Sequence, residues 1–148
     1  MAGFIKQLFR KAPIPKSADA KELVDLACNL LTAQIGLGSA LPGGANRQRL
    51  EMPYARGYVF GFVDALLRRS GITDETRIVA LISVIHAKVF GKAMGSIFIV
   101  DAQSNHSPDS AFTKGRATGE TDLERWVADS DGAPAMLCDY LNSRGPLG

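Results

Sequence analysis

Acidic side chains and a histidine come together in one short stretch of this chain, between Asp101 and Asp109, with His106 between them. A histidine beside a carboxylate can act as a general acid–base pair, and such a group can also bind a metal ion. The intervening residues are rich in Ser, Asn and Pro, the residue types that turns require. No established metal-ligand spacing or nucleophile motif is present. We therefore interpret the stretch as a polar loop, predict no catalytic residue, metal or cofactor, and keep a small enzyme with a site around residues 101–109 as an alternative.

Two further titratable residues, Asp64 and His86, stand inside long apolar segments. Asp64 lies one helical turn before Arg68, which is the spacing of an intrahelical ion pair. His86 is surrounded in helical register by apolar residues such as Ile82 and Phe90, an environment typical of a core histidine. Both residues are therefore predicted to be structural.

A glycine-rich stretch, GLGSALPGGANRQR, covers residues 36–49. Glycines let backbone N–H groups approach a phosphate, but phosphate-binding loops follow a strand and end in Gly-Lys-Ser/Thr. Here a predicted helix precedes the stretch, and that ending is missing from the sequence. The stretch is predicted to be a flexible connection between helices.

The charge of the chain is nearly balanced, with 17 basic and 15 acidic residues and a net charge of +2. The first half is the more basic, and a weak nucleic-acid-binding module that uses this half is one alternative function. No predicted helix carries a continuous basic face, so a solvated surface is the favoured interpretation and nucleic acid is not a predicted partner. The arginines that would form the patch are Arg47, Arg49, Arg56, Arg68 and Arg69.

The two cysteines, Cys28 and Cys138, are far apart, and each lies in an apolar helical stripe. Neither belongs to a C-x-x-C pair or to a cluster with metal-ligand spacing. The chain shows no secretory signal, and its apolar segment at residues 78–100 contains charged residues that are costly at the centre of a bilayer. We therefore predict free, buried thiols and a cytoplasmic protein.

Hydrophobic periodicity predicts one helix after another with short connections, which is typical of an all-α bundle. We predict a compact bundle of about five to seven helices with two central apolar helices, residues 53–69 and 74–90. Residues 103–121 are predicted to be a polar loop in which Ser107, Pro108 and Asp109 could begin one short helix, and no internal repeat is apparent. The remaining helices are predicted at 18–35, capped by Ser17, at 93–102, at 122–129 after the cap Thr121, and at 134–144.

Gly57 and Gly61 lie on one side of the predicted helix 53–69, one helical turn apart. Without side chains they let another helix approach closely, and in membranes the same spacing favours dimerisation. In a soluble core we expect the pair to mark a tight helix crossing, and a homodimer is the alternative.

The first residues, MAGFIKQLFRKAPIP, combine a short amphipathic helical pattern with a proline linker. The prolines disfavour helix and separate residues 1–16 from a single helical domain at 17–148. Docking on the core, a protein partner and an anionic membrane surface are each compatible with this pattern, and a partner is the predicted role. The residues predicted to make the contact are the apolar Phe4, Ile5, Leu8 and Phe9 and the basic Lys6, Arg10 and Lys11.

Together these patterns favour a small, non-enzymatic helical interaction or adaptor protein. We expect it to bind an unidentified protein partner, with a weak contact to anionic membranes through the N-terminal segment as a further possibility. A flat apolar patch would favour this function. A buried pocket with converging polar groups near His106 or His86 would favour an enzyme.

Overall fold

The structure of the chain is a computed structural model, which describes residues 14, 19–39, 46–104, 106–129 and 134–143. Across these residues the fold is all-helical, with seven helices and no strand, which confirms the predicted α-helical bundle. The helices are α1 (Ala20–Ser39), α2 (Asn46–Glu51), α3 (Pro53–Arg69), α4 (Glu75–Phe90), α5 (Lys92–Gln103), α6 (Ala111–Ala128) and α7 (Met136–Asn142).

Helix α3 lies at the centre of the bundle, as its apolar circumference predicts. Pro53 occupies its first turn. Backbone N–H groups there have no acceptor within the helix, so the N–H that proline lacks costs no hydrogen bond. Large side chains on different sides of the helix, including Tyr58, Phe62 and Leu67, are fully buried. Helices α1, α2, α4, α6 and α7 all contact α3.

The second central helix is α6, and the prediction that residues 74–90 would take this place is wrong. Helix α6 makes the most extensive helix–helix contact of the described structure with α3. Helix α4 instead packs mainly against α1 and α5, and it exposes Val79 and Val84. The apolar residues around α4 led to the prediction of a central position, but part of its apolar surface faces solvent.

Glycines on α3 bring its backbone into direct contact with α6. A Cβ atom added at Gly57 would overlap the carbonyl oxygen of Phe112, and one added at Gly61 would overlap that of Arg116. Any side chain at either position therefore requires the two backbones to separate. Gly57 and Gly61 thus lie at a close helix crossing.

Glycines on α6 make the reverse contacts. A Cβ atom at Gly115 would overlap the carbonyl oxygen of Tyr54, and one at Gly119 would overlap that of Tyr58. A step of four residues along α3, from Gly57 to Gly61, moves the contact four residues forward along α6, from Phe112 to Arg116. The helices α3 and α6 therefore run parallel. The reciprocal pattern relates them by an approximate two-fold axis along their length.

The two central helices carry the same motif, Gly-x-x-x-Gly-x-x-Asp. It runs from Gly57 to Asp64 in α3 and from Gly115 to Asp122 in α6. The repeat is hard to recognise in the sequence alone, because GRATG in α6 also resembles GKAMG at residues 91–95. The aspartate one helical turn beyond the second glycine distinguishes the two segments that pack together, residues 57–64 and 115–122, from GKAMG.

Helix α1 is longer than predicted. It begins after Asp19, whose side chain accepts a hydrogen bond from the Lys21 N–H at 3.0 Å, whereas the predicted cap Ser17 lies outside the described residues. It continues through Gly36 to Ser39. Helix α2 then occupies part of the stretch that was predicted to be a flexible connection.

Helix α6 replaces much of the predicted 103–121 loop. Its cap is Ser110, whose hydroxyl accepts a hydrogen bond from the Thr113 N–H at 3.2 Å, and the predicted cap Thr121 lies inside the helix. The poor helix propensity of Gly and Thr concealed this element in the sequence. The predicted helix at 93–102 is confirmed by α5.

Candidate functional site

Asp101 and His106, the residues of the alternative acid–base site, make contacts that join α3, α5 and α6. The carboxylate of Asp101 lies 3.0 Å from Nε of Arg56, and both side chains are largely buried. His106 approaches Asp101 through the main chain, with Nε2 2.7 Å from the carbonyl oxygen, and its ring stacks on Phe112. Asp109 is exposed. Among the described residues, no group of three or more His, Cys, Asp or Glu side chains is placed to hold a metal ion.

His86 is fully buried on α4. Its ring centroid lies 4.4 Å from that of Phe90. Burial, with a further contribution from the positive charge of Arg56, lowers the pKa of His86 from 6.5 to about 3. The imidazole is therefore neutral at physiological pH, which fits the prediction of a core histidine.

We expect His86 to lower the free energy of unfolding by about 2 kcal/mol between about pH 7.5 and pH 5. The unfolded chain binds a proton at a pKa of 6.5, whereas the native state resists it until about 3, so this stability is complete above the higher value and is lost below it. Urea denaturation at both pH values measures the effect. His86→Gln should flatten the dependence, and His106→Gln, at the other histidine of the chain, should preserve it. An unchanged slope in the His86 variant would contradict the assignment.

Each arginine considered for a nucleic-acid patch, where the structure describes its side chain, contacts a carboxylate or an aromatic ring. Pairing with carboxylates weakens the positive field that attracts a phosphate backbone. The structure therefore offers no support for this alternative function. The contacts are Arg49 with the Tyr140 ring, Arg56 with Asp101, Arg68 with Asp64 and Glu75, and Arg69 with Glu124.

A buried polar cluster joins α1, α3 and α6 at their contact with α7. Its side chains, Gln34, Tyr58 and Asp122, are 0, 0 and 2% exposed. Nε2 of Gln34 donates to the Tyr58 hydroxyl at 3.0 Å, and that hydroxyl donates to Oδ2 of Asp122 at 2.5 Å. The Met136 N–H also donates to Asp122 Oδ2, at 3.0 Å, and the Leu137 N–H donates to Oε1 of Gln34 at 3.2 Å.

Electrostatics keep the hydroxyl of this cluster protonated. Burial raises the pKa of Asp122, and hydrogen bonds from Tyr58 and the Met136 N–H partly oppose the rise. Burial and the neighbouring carboxylate raise the pKa of Tyr58 well above its ordinary value. The polar groups are sealed and used to join helices, so the cluster anchors α7. None of the three side chains was predicted to be a site residue, and the motif that ends at Asp122 was the available signal.

Asp64, the counterpart of Asp122 in the α3 motif, has different surroundings. Its carboxylate lies 3.0 Å from Nε of Arg68, which confirms the predicted intrahelical ion pair. Nη2 of Arg116 lies 3.9 Å from the other carboxylate oxygen. The Asp64 side chain is 15% exposed and those of the two arginines are 44% and 48% exposed, so one of the equivalent aspartates forms a partly exposed ion pair and the other a buried anchor.

Four aliphatic side chains stand out at the surface of α4 and α5. The exposed fractions are 41% for Val79, 46% for Val84, 44% for Ile97 and 65% for Val100. The two helices form a hairpin that turns at Gly91. Val79 and Val84 belong to a helix that was predicted to be central, because an apolar pattern does not tell which sides of a helix find neighbours. We call these residues, together with Lys88 and Lys92, the hairpin surface.

Basic residues are exposed on the same two helices as these aliphatic side chains. Arg77, Lys88 and Lys92 are exposed. The acidic residues within the two helices, Glu75 and Asp101, are both in ion pairs with arginines of α3, and Asp74, the exposed cap of α4, accepts hydrogen bonds from the N–H groups of Thr76 and Arg77. Aliphatic side chains and basic groups are therefore both exposed on these two helices.

Both cysteines are free, as predicted, and both are half-buried. Burial raises the pKa of the Cys28 thiol and that of the Cys138 thiol. A raised pKa disfavours the thiolate, which is the nucleophilic form. Neither cysteine therefore has the features of a reactive thiol.

The predicted N-terminal contact residues lie outside the described part of the chain, while Ile14 is half-buried and packs against the core. None of the described helices combines the length and the apolar composition needed to cross a bilayer. The chain matches no protein-family model, and it has no significant match among curated proteins or solved structures.

Proposed function

We propose that this chain is a non-enzymatic helical interaction protein, which binds a protein partner through the hairpin surface and the N-terminal segment. The observation that carries the proposal is the exposure of Val79, Val84, Ile97 and Val100 on two packed helices. Exposed aliphatic side chains mark interaction sites where they form one contiguous patch on a soluble domain, and we propose that these four side chains form such a patch. The enzyme alternative has less support, because Asp101 and His106 are held in contacts that fasten helices.

The size of the hairpin surface limits the strength of the contact. Complete burial of an aliphatic side chain yields about 1.5–3 kcal/mol, so covering four half-exposed ones yields about 3–6 kcal/mol. Association costs about 4–15 kcal/mol in lost freedom. The hairpin surface alone therefore supports only weak, transient binding, and a stable complex needs a second contact.

The N-terminal segment is the second contact in this proposal. Its predicted apolar residues Phe4, Ile5, Leu8 and Phe9 add an apolar surface of similar extent. Because Ile14 packs against the core, the segment is tethered to the domain. A partner already held at the hairpin surface would meet it at a high effective concentration.

Charge favours an acidic partner. The exposed basic residues of the hairpin and the basic residues of the N-terminal segment have the same sign. Complementary charge speeds association and favours some partners over others. We therefore propose an acidic, amphipathic helix or an acidic protein surface as the partner.

Co-purification of the full chain from the cells that produce it tests the proposal. The double variant Val84→Asp/Val100→Asp should recover about tenfold less partner, because it places charge in the apolar contact. Its melting temperature should stay close to that of the wild type, because both side chains are exposed. Charge reversal by Lys88→Glu/Lys92→Glu should also reduce recovery, whereas Lys114→Glu, an exposed lysine on α6, is the matched control.

Two further experiments distinguish a partner contact of the N-terminal segment from core packing and from membrane binding. Deletion of residues 1–12, which spares Ile14, should weaken recovery without a large change in melting temperature. A large fall in melting temperature with unchanged recovery would instead make the segment part of the core. Binding of the purified chain to phosphatidylglycerol vesicles, with no protein recovered from cells, would replace the partner with a membrane surface.

A further inference from the structure

We infer that α7 is a tethered helix seated in a receptor groove of the bundle, and that this groove binds a short helical peptide of the same chemistry whenever α7 leaves it. The peptide class is defined by α7 itself. It has no side-chain cap at its N-terminus, and it carries leucines one helical turn apart.

The groove supplies the N-terminal cap that α7 lacks. The side chain of Ala135, the residue before the helix, makes no capping hydrogen bond. The Met136 N–H donates to the Asp122 carboxylate at 3.0 Å, and the N–H groups of Leu137 and Cys138 donate to Gln34 Oε1 at 3.2 and 3.4 Å. The unpaired N–H groups of a helix start are thus satisfied by other helices.

The apolar side of α7 has the spacing of a helix bound in a groove. Leu137 and Leu141 are 0 and 1% exposed. The ring of Tyr140 lies against that of Tyr54 on α3, with centroids 4.5 Å apart. Anchors at i and i+4 are the pattern by which separate amphipathic helices are recognised by protein grooves.

The receptor is organised without α7. Gln34 Nε2 and the Asp122 carboxylate both bond to the Tyr58 hydroxyl. Asp122 is carried by α6, which the glycine contacts hold against α3. The acceptors of the groove therefore remain aimed at the same place when α7 departs.

Helix α7 is much shorter than the central helices. It has seven residues, which is too short for an isolated helix to be stable. An open cavity of about 200 Å³, lined by residues including Thr121, Arg125 and Met136, lies at its edge. Because α7 is short and borders an open cavity, we expect it to open locally before the whole domain unfolds.

Binding of a fluorescent peptide to the full chain tests the inference. The probe is an acetylated peptide with the sequence PAMLCDYLNS, residues 134–143. In the variant Leu141→Ala the tethered helix is weakened while the groove is unchanged, so the probe should bind at least about tenfold more tightly than to the wild type. The variant Asp139→Ala, at an exposed position of α7, should bind it like the wild type.

The receptor residues are tested in the same background. Adding Asp122→Ala to Leu141→Ala should abolish probe binding while circular dichroism shows that the bundle remains folded, and adding Asp64→Ala, at the equivalent position of the α3 motif, should not abolish it. Hydrogen exchange of the unmodified chain gives evidence independent of these variants. The amides of residues 136–138 should exchange faster than those of α3. Equal binding of the probe by wild type and Leu141→Ala, or exchange of residues 136–138 only through global unfolding, would overturn the inference.

Discussion

Replacement of Gly61 by alanine is expected to lower the free energy of unfolding by about 3 kcal/mol, the upper end of the usual cost of overpacking. The added methyl group would overlap the carbonyl oxygen of Arg116. A backbone atom cannot turn aside as a flexible side chain can, so the two central helices have to separate along their contact. Urea denaturation of the purified variant measures the loss.

Gly36 provides the matched control for this substitution. It lies inside α1, and a Cβ atom there meets nothing within 4 Å. Gly36→Ala should therefore stabilise the protein by about 0.5–1 kcal/mol, because glycine loses more backbone freedom on folding than alanine. If Gly61→Ala were as harmless as Gly36→Ala, α3 and α6 could not be in backbone contact.

Replacement of Asp122 by alanine is expected to cost about 3 kcal/mol, because a buried donor left without an acceptor costs about 1–3 kcal/mol. The substitution removes the acceptor of both the Tyr58 hydroxyl and the Met136 N–H. Removing a buried charge offsets part of this loss. Thermal and urea unfolding should both show the destabilisation.

Asp64→Ala is the control, since Asp64 holds the same place in the other copy of the motif. Its ion pairs involve partly exposed arginines, so its loss should cost about 1 kcal/mol or less. Equal costs at the two positions would mean that the buried cluster does not anchor α7.

The sequence predicted α3 well because local signals agree with its packing. Pro53 starts the helix, and apolar residues on all sides call for a central position. The same reasoning failed for α6, where Gly115 and Gly119 lower helix propensity but are required by the contact with α3. A short-range pattern cannot show that a glycine is needed by a helix far along the chain.

The candidate site was less accessible from sequence than the fold. Gln34, Tyr58 and Asp122 are distant in the sequence, and only the packing of three helices brings them together. Val84 and Ile97 have the pattern of core residues, and their exposure depends on where neighbouring helices end. The predictions that succeeded, such as the Asp64–Arg68 ion pair, concern residues within one turn of each other.

Photo-crosslinking from position 100 in the cells that produce the protein is the most direct test of the proposed interaction. Val100 is the most exposed aliphatic residue of the hairpin surface, and a photoreactive amino acid placed there reports what covers it. Position 114, an exposed lysine on α6, is the comparison. We predict one dominant product from position 100, joined to an acidic segment of another protein and lost in the Lys88→Glu/Lys92→Glu variant. Equal products from positions 100 and 114, or products with lipid or a second copy alone, would contradict the proposal.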